Sequence, residues 1–233
     1  MRQLLLISTS SVFGTGYLEH AGSELRAILG ERRRVLFIPY ALRDHNGYAA
    51  KARTAFEGLS YRLDSIHESA NPSRAVAEAE AVFCGGGNTF RLLDAMYRYD
   101  LLPAVRERVA AGMPYTGASA GSNLAGPTIR TTNDMPIVQP PSFDALGLVS
   151  FQINPHYLDP DPGSKHMGET REARLNEFHE ENKAPVVGLR EGAMLRVAGA
   201  KVELRGLAGA RIFRKGQAPI EVAPPASIEG LLV

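Results

Sequence analysis

Short runs of consecutive apolar residues alternate with stretches whose apolar positions recur at helical spacing, and this alternation governs residues 1–160. Residues 4–7 read as a strand, after which Leu18, Ala21, Leu25 and Ile28 fall on one face of a helix. Residues 35–38 are apolar without interruption, as expected of a strand covered on both faces. A helix over 48–59 and a weaker strand over 61–66 follow. Residues 81–84 read as another buried strand, ending in Gly85-Gly86-Gly87-Asn88, and Phe90, Leu93 and Met96 open the next helix. Pro103 suits the first position of a further helix. Strands are predicted at 114–116 and 151–154. Strands separated by helices in this way predict βαβ units and a mostly parallel sheet flanked by helices.

The pattern changes in the last third. Residues 170–182 read as one polar surface helix and 185–189 as a strand. Short strands at 193–197, 202–205, 211–214 and 220–222 are separated by Gly199-Ala200 and Lys215-Gly216, as in antiparallel hairpins. The sequence has no internal repeat and no long linker. The expectation is one α/β domain over 1–233, with antiparallel strands near its C-terminal end.

Composition mainly excludes. Twenty-six basic residues against twenty-five acidic ones leave a net charge of +1. The densest basic run, Arg32-Arg33-Arg34, leads straight into a buried strand, so no nucleic-acid footprint is expected. Cys84 is the only cysteine, which rules out an intrachain disulfide and fits a reducing compartment. The apolar run at 4–7 is too short for a signal-peptide core, and no stretch is long enough to span a membrane. A cytoplasmic protein is expected. No histidine, cysteine or acidic residues fall at metal-ligand spacing, so neither metal nor cofactor is expected.

The chemistry concentrates at Gly117-Ala118-Ser119-Ala120-Gly121. Gly-x-Ser-x-Gly between a strand and a helix is the pattern of a nucleophile elbow, a tight turn that lifts the serine hydroxyl clear of the sheet. The helix that begins there aims free N–H groups at the space where an oxyanion would form. Serine needs a base. Of the six histidines, His20, His67 and His179 read as surface residues, while His45 and His166 sit in loops and stay open as alternatives. His156 ends an apolar strand, where active sites of parallel sheets collect. Glu191, after the strand at 185–189, and Asp134, in the loop following the nucleophile helix, compete to orient it. The glycine run offers the Gly87 N–H as a second oxyanion donor beside that of Ala120.

Several long motifs carry a resemblance. The segment 117–124, the block 128–138, Gln152-Ile153-Asn154-Pro155-His156, Gly168-Glu169-Thr170-Arg171-Glu172, the opening Leu4-Leu5-Leu6-Ile7-Ser8 and the run 85–90 together resemble the peptidase E family of α-aspartyl dipeptidases. The resemblance covers nearly the whole chain and weakens over the last 40 or so residues. It implies a fold related to class I glutamine amidotransferases and a serine peptidase that releases N-terminal aspartate from Asp-Xaa dipeptides. It also implies a Ser119–His156–Glu191 triad, with a role for Asp134, and Arg171 as reader of the aspartyl side chain. Glu169 or Asp134 would hold the free α-amine. The expected partner is a small peptide, bound by a monomer or homodimer. The alternatives are a cyanophycinase-like or general acyl hydrolase, or a non-catalytic module that senses acidic metabolites. The loop between His156 and Gly168 is slightly longer than the family pattern.

Overall fold

The structure, a computed structural model, describes residues 1–163, 165 and 167–232. Among these, strands β1 (Gln3–Ile7), β2 (Arg34–Ile38), β3 (Arg62–Ser65), β4 (Val82–Cys84) and β5 (Tyr115–Ala118) run parallel in the order β3-β2-β4-β5-β1. The apolar runs of β1, β2 and β4 are buried because helices cover both faces, whereas β3, at the edge, alternates Arg62 and Asp64 with Leu63 and Ser65. The pleat divides each strand between two cores. Leu5, Ile7, Val35, Phe37 and Phe83 point one way, towards α1 (Gly22–Leu29) and α2 (His45–Glu57). Leu4, Leu6, Leu36, Ile38 and Val82 point the other way, towards α3 (Pro72–Glu78), α4 (Thr89–Arg98), α5 (Leu101–Ala110) and α6 (Ala120–Leu124).

The C-terminal strands do not all extend this sheet. β6 (Gln152–Asn154) pairs in parallel with β7 (Val186–Leu189), and α7 (Arg171–Glu181) lies between them in the chain. β8 (Ala193–Ala198), β9 (Lys201–Gly206) and β12 (Ala226–Ser227) add an antiparallel edge to β1, which makes the main sheet eight-stranded. β10 (Ala210–Phe213) and β11 (Ile220–Val222) instead join β7 and β6 in a second, four-stranded sheet. Ile153, Val187, Leu189 and Ile212 of that sheet pack into the same core as Leu4 and Leu6, so the two sheets share one apolar layer.

The mostly parallel, helix-flanked architecture is the expected one. Three details differ. The strand that leads to His156 belongs to the second sheet, because an apolar triplet does not encode its partner, and β7 lies thirty-odd residues further on. α3 escapes the periodicity because Val76 is its only fully buried residue; Asn71, whose side chain accepts from the Arg74 N–H, and Pro72 define its start. α5 begins at Leu101, so Pro103 sits third, still within the turn whose N–H groups need no helical acceptor.

Candidate active site

The end of β5 turns sharply into α6. Ser119 sits at the turn with φ 51° and ψ −109°, a strained conformation for a residue other than glycine. Its N–H continues the β1 ladder by donating to the Ile7 carbonyl at 2.9 Å, while its own carbonyl accepts from the N–H groups of Ser122 and Asn123 and starts the helix. The glycines on either side are dictated by space: a side chain at Gly117 would strike the Gly121 carbonyl, and one at Gly121 would strike the Cys84 carbonyl. Beneath the turn, Ser122 Oγ donates to the Ile7 and Gly117 carbonyls at 2.7 and 2.8 Å. Cys84 is fully buried, and burial pushes its thiol up to about 12, so it remains an inert apolar neighbour.

His156 follows β6 and Glu191 follows β7, at adjacent ends of the second sheet. His156 Nε2 lies 2.9 Å from Ser119 Oγ, and His156 Nδ1 lies 2.8 Å from Glu191 Oε1. With Nδ1–H donating to the carboxylate, Nε2 is the acceptor for the serine proton. His156 also has a left-handed backbone, φ 52°. Ser8, the first residue after β1, holds that backbone: its Oγ accepts from the His156 N–H at 3.0 Å and donates to the Leu189 carbonyl at 2.8 Å. One hydroxyl thus ties the sheet carrying Ser119 to the two strands that lead to His156 and Glu191. Its sequence signals are its position ending the apolar run Leu4-Leu5-Leu6-Ile7 and its place in the opening motif that carries the resemblance. Asn123 and Asn154 brace the same region. Asn123 Nδ2 donates to the Ile153 carbonyl at 2.6 Å, and Asn154 Nδ2 donates to the Thr131 carbonyl at 2.8 Å.

Asp134 does not reach the imidazole. Its Oδ2 accepts from the N–H and Oγ1 of Thr89, at 2.7 and 2.6 Å, and from Thr132 Oγ1 at 3.1 Å, which anchors it at the N-terminus of α4. A carboxylate is favoured there by the helix dipole and by orphan N–H groups. Its Oδ1 has no partner among the described residues, and Asp134 lines the cleft in front of Ser119. Glu169, the other acid considered for the amine, pairs with Arg174 at 3.5 Å and lines an adjoining hollow beside Phe143, on the far side of Asp134, which borders both. Arg171 opens α7, where a cation opposes the helix dipole. It is partly buried and makes no ion pair among the described residues. Burial, with Arg174 close by, holds its guanidinium below the usual arginine range, and only the nearby Asp134 charge counteracts this.

The cleft encloses about 640 Å³ and is walled by Gly86 and Gly87 on one side of Ser119 and by Tyr17, Tyr48 and Lys51 further out. Gly87 has φ 134°, and a side chain there would meet the Ala41 carbonyl at 2.7 Å. Its N–H and that of Ala120 donate to no acceptor among the described residues. Burial raises the phenols of Tyr17 and Tyr48 above their usual range, so both remain protonated donors.

None of the other described histidines lines the cleft. His67 bonds Ser65 and Asn46, and His45 packs on the Tyr40 ring. His179 is buried rather than on the surface, with Nε2 3.1 Å from the Ala184 carbonyl. His166 lies outside the described residues. No group of three or more histidine, cysteine or acidic side chains suited to a metal occurs among the described residues.

A serine, an imidazole and a carboxylate in one hydrogen-bonded line, facing a cleft with two free N–H groups, constitute the equipment for acyl transfer. The sequence model of peptidase family S51 matches residues 4–205. Peptidase E of Streptomyces coelicolor is 55% identical over 229 residues, covering 98% of this chain and 94% of its own. A Drosophila melanogaster protein named Probable alpha-aspartyl dipeptidase is 48% identical, covering 99% of this chain and 98% of its own. The crystal structure of a peptidase from an acI-B1 Actinobacterium superposes with a TM-score of 0.73 over 98% of this chain and 96% of that one, at 19% identity, and so supports the fold.

Proposed function

The chain belongs to peptidase family S51, and from that premise we infer that it is a serine-type dipeptidase releasing N-terminal aspartate from Asp-Xaa through an acyl-enzyme. The observation that carries the reading is the unbroken line from Ser119 Oγ through both nitrogens of His156 to Glu191. Ser119 attacks the aspartyl carbonyl while His156 Nε2 takes its proton, and Glu191 stabilises the imidazolium so formed. The N–H groups of Gly87 and Ala120 receive the oxyanion, a contribution of about 3–4 kcal/mol where a single donor has been removed in related chemistry. His156 then protonates the departing amine. Xaa leaves as that amine; water, deprotonated by the same imidazole, then hydrolyses the ester, which frees aspartate and returns the proton to Ser119 Oγ.

Two features support the choice of aspartate. Arg171 is a partly buried cation without a carboxylate partner among the described residues, at the unfavourable end of a helix, and a ligand carboxylate would relieve both penalties. Asp134 offers its open Oδ1 to the cleft, where it can accept from the substrate ammonium; Glu169, engaged by Arg174 outside the cleft, is the weaker candidate. We place the enzyme in the cytoplasm, acting on small peptides as a monomer or homodimer without a cofactor. No helix among the described residues is long and apolar enough to cross a membrane.

Ser119→Ala tests the reading. Turnover of Asp-Leu should fall by roughly four to six orders of magnitude with the melting temperature nearly unchanged, and labelling by a serine-directed phosphonate should vanish. Retention of most activity would remove Ser119 from the nucleophile role. Faster cleavage of β-aspartyl dipeptides or of p-nitrophenyl acetate by the native protein would move the assignment to a cyanophycinase-like or general acyl hydrolase. Failure of the phosphonate to label the native protein would favour an acidic-metabolite sensor.

A further inference from the structure

The reading above uses the acyl side of the cleft and leaves its other wall without a task. That wall is built by α2 and the segment before α1. Lys51, on α2, extends its Nζ over the Tyr17 ring, 4.7 Å from the ring centroid. It is exposed, lines the same cleft as Ser119 and His156, and has no carboxylate within ion-pair distance among the described residues. Asp44 also lines the cleft, but its carboxylate caps α2, accepting from the Gly47 N–H at 2.9 Å, and is not within ion-pair distance of Lys51. The Tyr17 and Tyr48 hydroxyls meet at 3.3 Å on the same wall. Tyr48 is rigid: its ring packs edge-on against Phe37, and its hydroxyl abuts Gly85, where an added Cβ would come within 2.5 Å. Asp134, on whose side Arg171 lies, is also part of the cleft lining. Lys51 thus lines the cleft as a cation with no acid bound to it, and Arg171, close to Asp134 but outside the cleft lining, is a second unpaired cation among the described residues.

An Asp-Xaa dipeptide carries two carboxylates. One is the aspartyl side chain; the other is the free C-terminus of Xaa, a single residue length, roughly 3.5 Å, beyond the scissile nitrogen. We propose that Lys51 binds the C-terminal carboxylate of the substrate, with the Tyr17 and Tyr48 hydroxyls beside it, and that this charge pair restricts the enzyme to dipeptides. A longer peptide puts an uncharged peptide group where the carboxylate belongs and leaves the ammonium without its partner. A flexible lysine suits this task because the carboxylate shifts with the identity of Xaa, whereas a planar guanidinium would demand one fixed approach. The inference rests on the Asp-Xaa reading and adds the leaving-group side to it.

The test compares hydrolysis of Asp-Leu and of Asp-Leu amide, which differ only in the terminal charge, by the native enzyme, Lys51→Met and Lys51→Arg. The native enzyme should prefer the free acid by about ten- to a hundredfold in kcat/KM, as expected of a hydrogen bond to a charged group. The preference should lie mainly in KM. Lys51→Met should bring the ratio of the two substrates close to one, and Lys51→Arg should restore part of it. The ratio is taken within one preparation, so loss of folded protein cancels. An unchanged ratio in Lys51→Met overturns this inference and leaves the peptidase reading standing. Failure of the native enzyme to cleave either substrate overturns both.

Discussion

At the scale of single residues the site depends on a hydroxyl that takes no part in the chemistry. Ser8 accepts from the His156 N–H and donates to the Leu189 carbonyl, two residues before Glu191. Ser8→Ala strands both groups in a buried setting, at a cost of about 1–3 kcal/mol, and frees the imidazole to drift. Misplacement of a base by about 1 Å lowers rates by roughly a hundredfold. We therefore expect kcat to fall about that far, measured beside the melting temperature; full kcat in a destabilised variant would confine Ser8 to holding the fold. Ser119, His156 and Glu191 were legible because each ends an apolar strand or sits in a glycine-framed turn. Ser8 was hidden because a serine after a strand is ordinary, and only its two partners, each more than a hundred residues away in the chain, give it weight. Asp134 competed with Glu191 on paper because both are loop carboxylates; the choice lies in which loop the second sheet brings forward.

At the scale of elements, α7 and the ends of β6, β7, β10 and β11 are tied by charge. Arg190 grips Asp159 with Nε and Nη2, at 2.6 and 2.9 Å, and reaches Glu221 at 2.9 Å. Arg211 holds Glu172 at 2.7 Å and the Tyr157 hydroxyl at 3.1 Å. Four of these six anchors are next to, or three residues from, a site residue: Tyr157 and Asp159 follow His156, Arg190 precedes Glu191, and Glu172 follows Arg171. Hydrogen bonds from Arg190 hold the Asp159 carboxyl below the usual carboxylate range. A carboxyl depressed in the folded state stabilises fully above its unfolded value, about 3.9, and loses that contribution as pH falls through the folded value. Asp159→Asn should therefore melt below the native protein at neutral pH by at most a few degrees, since the pair is half exposed. The gap should close below about pH 4; a gap independent of pH would show that the charge is irrelevant. Such networks are invisible to periodicity, as were the division of the C-terminal strands between two sheets and the short, nearly polar α3. Apolar runs declared β1, β2 and β4 because both their faces are covered, while the edge strand β3 gave the weaker signal of alternation.

At the scale of the molecule, the proposed nucleophile and base belong to different sheets: Ser119 follows a strand of the large one, while His156 and Glu191 follow strands of the small one. Their meeting depends on the apolar layer the sheets share and on a few side chains that bridge them, Ser8 and Asn123 among them. Turnover is consequently a gauge of how the two sheets register, far finer than the amount of strand or helix present. On heating, hydrolysis of Asp-Leu should fade several degrees before far-ultraviolet circular dichroism changes, and superimposable curves would contradict this. A slip of one ångström along that seam would leave every strand intact and the enzyme mute.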